Sequence, residues 1–157
     1  CGNYGSTRRR CICTPTEIRR YRARISGPLL DRIDIQVEVD GVDYEALASD
    51  KTEEPSADVK RRASAARRIQ KQRFGSDQMT NSRMGEKELA EYCRLSPECE
   101  EIFRESFDRL RLSARARARI LKVARTIADL AYSEEILPDH LYEAISYRTY
   151  GAGTDSV

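Results

Sequence analysis

The chain has 157 residues, 28 Lys and Arg against 26 Asp and Glu, 34% charged residues and 7% aromatics. That composition suits helices with solvated faces better than a thick β core, and no apolar run is long enough to cross a membrane. The formal net charge of +2 is unevenly spread, because residues 1–32 carry eight Arg against only Glu17 and Asp31.

A basic front suits a phosphate-rich partner or an acidic neighbouring subunit, although a solvated arginine surface explains it as well. Five cysteines, an odd number, with no visible signal peptide argue for reduced thiols and a cytoplasmic location. A single His, His140, excludes a Ser-His-Asp or Cys-His catalytic set and is expected at the surface.

Residues 1–13, with Gly2, Gly5 and Cys1, Cys11 and Cys13, read as a loop or small knuckle. A helix then starts at Thr14, where Thr14, Pro15 and Glu17 make a T-x-x-E capping box with proline in the first turn. Ile18, Tyr21 and Ile25 form its apolar stripe, and Ser26-Gly27-Pro28 ends it. Ile33, Ile35, Val37 and Val39 alternate with Asp34, Gln36 and Glu38, which predicts a strand over 33–39. A lone strand needs partners, so residues 1–40 resemble the tail of a larger α/β core.

Residues 41–84 form a polar connector, a long polar helix over 56–74 with a thin stripe of Val59, Ala63, Ala66 and Ile69, and a loop. Residues 85–148 predict a helical bundle. Its segments present Leu89, Tyr92 and Cys93; Cys99, Ile102, Phe103, Ser106, Phe107 and Leu110; Ile120, Val123, Ala124, Ile127, Leu130 and Ala131; and Leu141, Ala144 and Ile145. Residues 149–157 read as a frayed tail. The fold class is therefore mainly α, a helical bundle preceded by a remnant of an α/β core.

Three features point towards chemistry. Arg115, Arg117 and Arg119 crowd the first turns of the helix that starts at Ser113. The helix dipole disfavours cations there unless an anion binds; acidic neighbours are the plain alternative. Arg32 lies between Leu29-Leu30 and the predicted strand, where its charge needs a partner, either Asp31 or Asp34 or a nucleotide at a subunit interface. The spacing C-x9-C-x-C offers three thiolates where tetrahedral zinc normally takes four. No G-x-x-x-x-G-K-[ST] phosphate loop is present, so the chain alone is expected to hydrolyse nothing.

Several blocks together resemble the magnesium-chelatase-like AAA+ ATPases, and their ComM-like branch in particular. They are Cys1-Gly2-Asn3-Tyr4-Gly5, Cys11-x-Cys13-Thr14-Pro15, Ile18-Arg19-Arg20-Tyr21, Arg24 through Ile35, Leu112-Ser113-Ala114-Arg115, Ile120 through Leu130, and His140-Leu141 through Tyr147-Arg148. The resemblance implies the C-terminal part of a hexameric ring ATPase that uses ATP and Mg²⁺, with a helical lid. The phosphate loop and acidic magnesium site would lie upstream of residue 1.

Leu29-Leu30-Asp31-Arg32 resembles an arginine finger, which implies a catalytic role for Arg32 at the neighbouring subunit's nucleotide. Ser113-Ala114-Arg115 resembles the start of a sensor-2 helix, which implies nucleotide binding by Arg115. The family carries a further Cys two positions before the one matching Cys1, which implies a zinc knuckle with Cys1, Cys11 and Cys13. Position 117 departs from the pattern, with Arg where an aromatic is expected. The ComM-like branch implies a motor acting on DNA; a true magnesium chelatase subunit, or a non-catalytic module binding DNA or a partner, are the alternatives.

Overall fold

The structure is a computed structural model that describes residues 1–6, 8–37, 39, 41, 42, 44, 48 and 53–148. The chain divides into two compact units, Cys1–Ile33 with Val37–Thr52, and Asp34–Gln36 with Glu53–Val157. The described residues are mainly helical, and no helix among them is long and apolar enough to cross a membrane. The predicted frayed tail, 149–157, lies outside the described residues.

The first unit contains α1 (Pro15–Arg22) and the short α2 (Gly27–Leu30). The predicted capping box is present. Thr14 Oγ1 accepts from the Glu17 amide at 3.3 Å, and Glu17 Oε2 accepts from the Thr14 amide at 2.8 Å. Those Thr14 donors hold the Glu17 carboxyl below its ordinary pKa. The box therefore stabilises above the usual carboxylate range and is lost as pH falls through the lowered value.

The predicted strand does not form over residues 33–37. Ile35 and Val37 are 51% and 61% exposed, and the Gln36 amide donates to the Tyr147 carbonyl at 3.0 Å. Period-two patterning cannot make a ladder without a neighbouring strand, and the described residues contain only an isolated parallel bridge, Leu95 to Ile136. Glu38 and Asp40 lie outside the described residues.

The second unit runs α3 (Ser56–Phe74), a 3₁₀ turn (Asn81–Arg83), α4 (Glu86–Tyr92), α5 (Pro97–Arg109), α6 (Ala114–Leu130) and α7 (Pro138–Ser146). Ser96 and Ser113 cap α5 and α6 by accepting from the Cys99 and Ala116 amides, each at 3.2 Å. The long α6 is the centre of the unit, packing against α3, the 3₁₀ turn, α4 and α7, while α5 packs on α7. Ile120, Leu121 and Ala124 of α6 meet Cys99 and Phe103 of α5 and Leu141, Ala144 and Ile145 of α7 in one apolar core.

Two predicted faces hold in part, with Ala66 on α3 and Ile120, Val123 and Ala124 on α6 buried as expected, and are shifted at their edges. On α3 the buried residues are Ala65, Ala66 and Gln70, whereas Val59 and Ala63 are exposed. On α6, Arg125, Ala128 and Asp129 are buried, whereas Leu130 and Ala131 are exposed. Both shifts have one cause, a buried polar network. The Arg73 guanidinium of α3 makes a two-pronged ion pair with the Asp129 carboxylate, one bond at 2.8 Å. Asn81 Nδ2 donates to the same carboxylate at 2.8 Å, and Arg125 Nε does so at 3.2 Å. His140 is also buried rather than at the surface, because its Nδ1 accepts from the Leu137 amide at 3.1 Å at the start of α7.

Both α5 and α6 end with a non-glycine residue in the left-handed region, Arg111 (φ 48) and Tyr132 (φ 56). Each costs roughly 1–2 kcal/mol relative to glycine. Each is held by paired terminal bonds, Leu112 to Phe107 (3.0 Å) with Arg111 to Asp108 (3.3 Å), and Ser133 to Ala128 (2.9 Å) with Tyr132 to Asp129 (3.2 Å). After the second reversal, the Ser133 and Glu134 carbonyls accept from Arg125 Nη2 and Nη1 at 2.5 and 2.7 Å.

Removing the shared acceptor tests the network. Asp129→Ala takes the shared carboxylate from the buried Arg125 and the part-buried Arg73 and is expected to cost about 3–5 kcal/mol by urea unfolding. The exposed Lys71–Asp77 pair at 2.8 Å is expected to give less than about 1 kcal/mol on Asp77→Ala. Equal effects for the two variants would contradict the network's structural role.

Candidate functional site

In the first unit the three predicted cysteines converge. Cys1, Cys11 and Cys13 place their Sγ atoms within 4.8 Å of one another, with Cys1 and Cys11 3.6 Å apart. Gly2 (φ 79) and Gly5 (φ 76) take left-handed conformations in the segment between Cys1 and Cys11, which turns the chain back upon itself. The edge of a zinc–thiolate tetrahedron is about 3.8 Å for Zn–S bonds near 2.3 Å; the Cys1–Cys11 separation is close to that edge, and the cluster supplies three of the four ligands zinc usually takes.

The arginines of this unit are displayed rather than buried. Arg9, Arg10, Arg19, Arg20 and Arg24 are exposed, Arg22 half-buried, and none makes an ion pair among the described residues. Arg22 lies over the Tyr4 ring (5.6 Å) and Arg24 over the Tyr21 ring (5.5 Å). Arg32 follows α2 in a turn closed by its own amide bond to the Leu29 carbonyl at 3.0 Å. Its side chain is exposed and makes no bond to Asp31 or Asp34 among the described residues.

In the second unit the three arginines of α6 separate by role. Arg117 stacks over the Phe103 ring at 5.9 Å, which accounts for an arginine where an aromatic is expected. Arg119 pairs with Asp34. Arg115 is exposed on the first turn and has no side-chain partner among the described residues. Lys122 is tied to the Ser82 carbonyl at 3.0 Å. Sequence reasoning picked out the group but could not separate its members, because the partners Phe103 and Asp34 come from elsewhere in the chain.

The five thiols fall into two chemical classes. Cys93 and Cys99 are buried and point at the Leu121 and Ile136 carbonyls at 3.7 and 3.5 Å. Burial pushes the Cys93 pKa up to about 11. Only thiolates react readily with disulfide reagents. The metal-free native chain is expected to release the equivalent of three thiols quickly to Ellman's reagent and the remaining two only with denaturant. Fast release of all five would contradict the burial of Cys93 and Cys99.

Comparison with known proteins gives the lineage. The family described as magnesium chelatase, subunit ChlI C-terminal, matches residues 53–148, and magnesium chelatase, subunit ChlI, matches residues 1–47. The chain is 38% identical over 148 residues to competence protein ComM of Haemophilus influenzae, covering 94% of this chain and 28% of that protein. It is 38% identical over 151 residues to protein YifB of Escherichia coli, with the same 94% and 28% coverage. Protein Rv2897c of Mycobacterium tuberculosis is 34% identical over 143 residues, covering 90% of this chain and 28% of its own length. The chain thus spans 28% of the length of the curated relatives it matches. With more than half of its residues matched by the C-terminal family and both patterns in order along it, the chain belongs to the magnesium chelatase ChlI family.

Proposed function

We propose that the full-length protein is a cytoplasmic, ATP- and Mg²⁺-dependent ring motor, hexameric in its working state and acting on DNA, in which this chain supplies Arg32 and Arg115 to the nucleotide site. The observation that carries the reading is the division of labour on α6. Arg117 and Arg119 are occupied by Phe103 and Asp34, while Arg115 is exposed on the first turn of the helix, next to its Ser113 cap. Guanidinium and amides there favour a phosphate together. Arg32, exposed on its turn, is suited to neutralise charge that develops on a phosphoryl group held by a neighbouring subunit. The name of the Haemophilus relative, a competence protein, favours DNA over a porphyrin as the object of the motor.

The same reading gives Cys1, Cys11 and Cys13 to a zinc ion. Bound there, the ion would cross-link the knuckle ahead of α1 and so fix the basic segment from Arg8 to Arg24. A second reading, a DNA-binding module with no ATP role, draws on the arginines of α1 and their stacking on Tyr4 and Tyr21.

Steady-state ATPase assays on the full-length ring separate the readings. Arg32→Ala is expected to lower turnover about 10³-fold or more while ATP binding persists, since a finger matters most as charge develops. Mixing such subunits with phosphate-loop-defective ones should restore part of the activity. Arg115→Ala is expected to weaken both binding and turnover. Near-normal turnover of Arg32→Ala would overturn the assignment and leave the binding module.

A further inference from the structure

We propose that the Cys1–Cys11–Cys13 cluster is an oxidation site, at which a peroxide joins Cys1 and Cys11 in a disulfide while Cys13 stays reduced. Three observations carry this beyond the reading of the cluster as a metal knuckle. Cys1 and Cys11 are the pair of sulfurs in direct contact, 3.6 Å apart, so closing to a covalent bond of about 2.05 Å requires a local movement of less than about 2 Å. Cys1 is exposed and Cys11 partly so, which admits a small oxidant. Cys13 Sγ lies within 4.8 Å of both other sulfurs but takes no part in that closest contact, which sets it apart from the pair.

The chemistry balances with hydrogen peroxide as the oxidant. One thiolate attacks a peroxide oxygen, forming a sulfenic acid as the O–O bond breaks and hydroxide leaves. The second thiolate attacks that sulfur, the S–S bond forms, and a second hydroxide leaves; two protons convert the hydroxides to water. Two cysteine thiolates lose two electrons and the peroxide gains them. A metal ion held by the cluster would lose two of its thiolates in the same event, so oxidation would also release it.

Cys93 and Cys99 serve as internal controls, being buried in the second unit and directed at backbone carbonyls. The test is peptide mapping of the purified 157-residue chain, stripped of metal by a chelator, treated with equimolar hydrogen peroxide and then alkylated. Titratable thiols in denaturant are expected to fall from five to three, with a Cys1–Cys11 cross-linked peptide as the main product. Cys13→Ser should retain that cross-link, and Cys11→Ser should leave a sulfenic acid on Cys1 that dimedone traps. Over-oxidation of Cys1 without a cross-link, or a Cys11–Cys13 product instead, would overturn the proposal.

A zinc-loaded sample adds an arm that rests on the metal reading. Release of the ion to a chromogenic chelator in step with the cross-link supports both ideas. A cross-link in a chain that never takes up zinc defeats the metal reading and supports this one.

Discussion

The second unit depends on a single carboxylate that accepts from three directions. Asp129 is fully buried, and the donors around it come from α3 (Arg73), the 3₁₀ turn (Asn81) and its own helix (Arg125). In a low-dielectric interior an unpaired carboxylate would be costly, so the three elements are constrained to arrive together. Burial holds the Arg125 pKa below its ordinary value, while Asp129 acts in the opposite direction. The Ser133 and Glu134 carbonyls complete the Arg125 shell, so the loop after α6 joins the same network. Such a cluster contributes less to net stability than to choosing one arrangement of helices.

That arrangement sets the stage for α6. The C-terminal half of the helix is fixed by the polar network and its middle by the apolar core of Ile120, Leu121 and Ala124. The N-terminal turn buries Ala116 and leaves Arg115 exposed. It is capped by Ser113 and displays Arg115, while Arg117 and Arg119 are spent on intramolecular contacts.

The first unit is organised differently. Among its described residues no apolar side chain is buried, and Tyr21, Ile25, Leu29, Ile33 and Val37 are exposed. Its local order comes from short-range devices instead: the Thr14–Glu17 capping box, the proline-initiated α2, and the convergence of three thiols.

The sequence by itself determined the helices and their starts, because capping and 3.6-residue periodicity are local properties. Thr14, Ser96 and Ser113 cap as their neighbours require, and the stripe on α5 from Cys99 to Leu110 faces inward as its spacing demands. It also singled out Arg32, Arg115 and the three cysteines as unusual. Tertiary structure decided what periodicity could not see. A hydrophobic stripe carries no sign of a buried Gln70, Arg125 or Asp129, since their burial depends on partners up to 56 residues away. The strand pattern of 33–39 encoded a preference but not a partner, and hydrogen-bonded ladders require both. Which of three neighbouring arginines remains available was settled by Phe103 and Asp34, residues whose proximity exists only once the chain has folded.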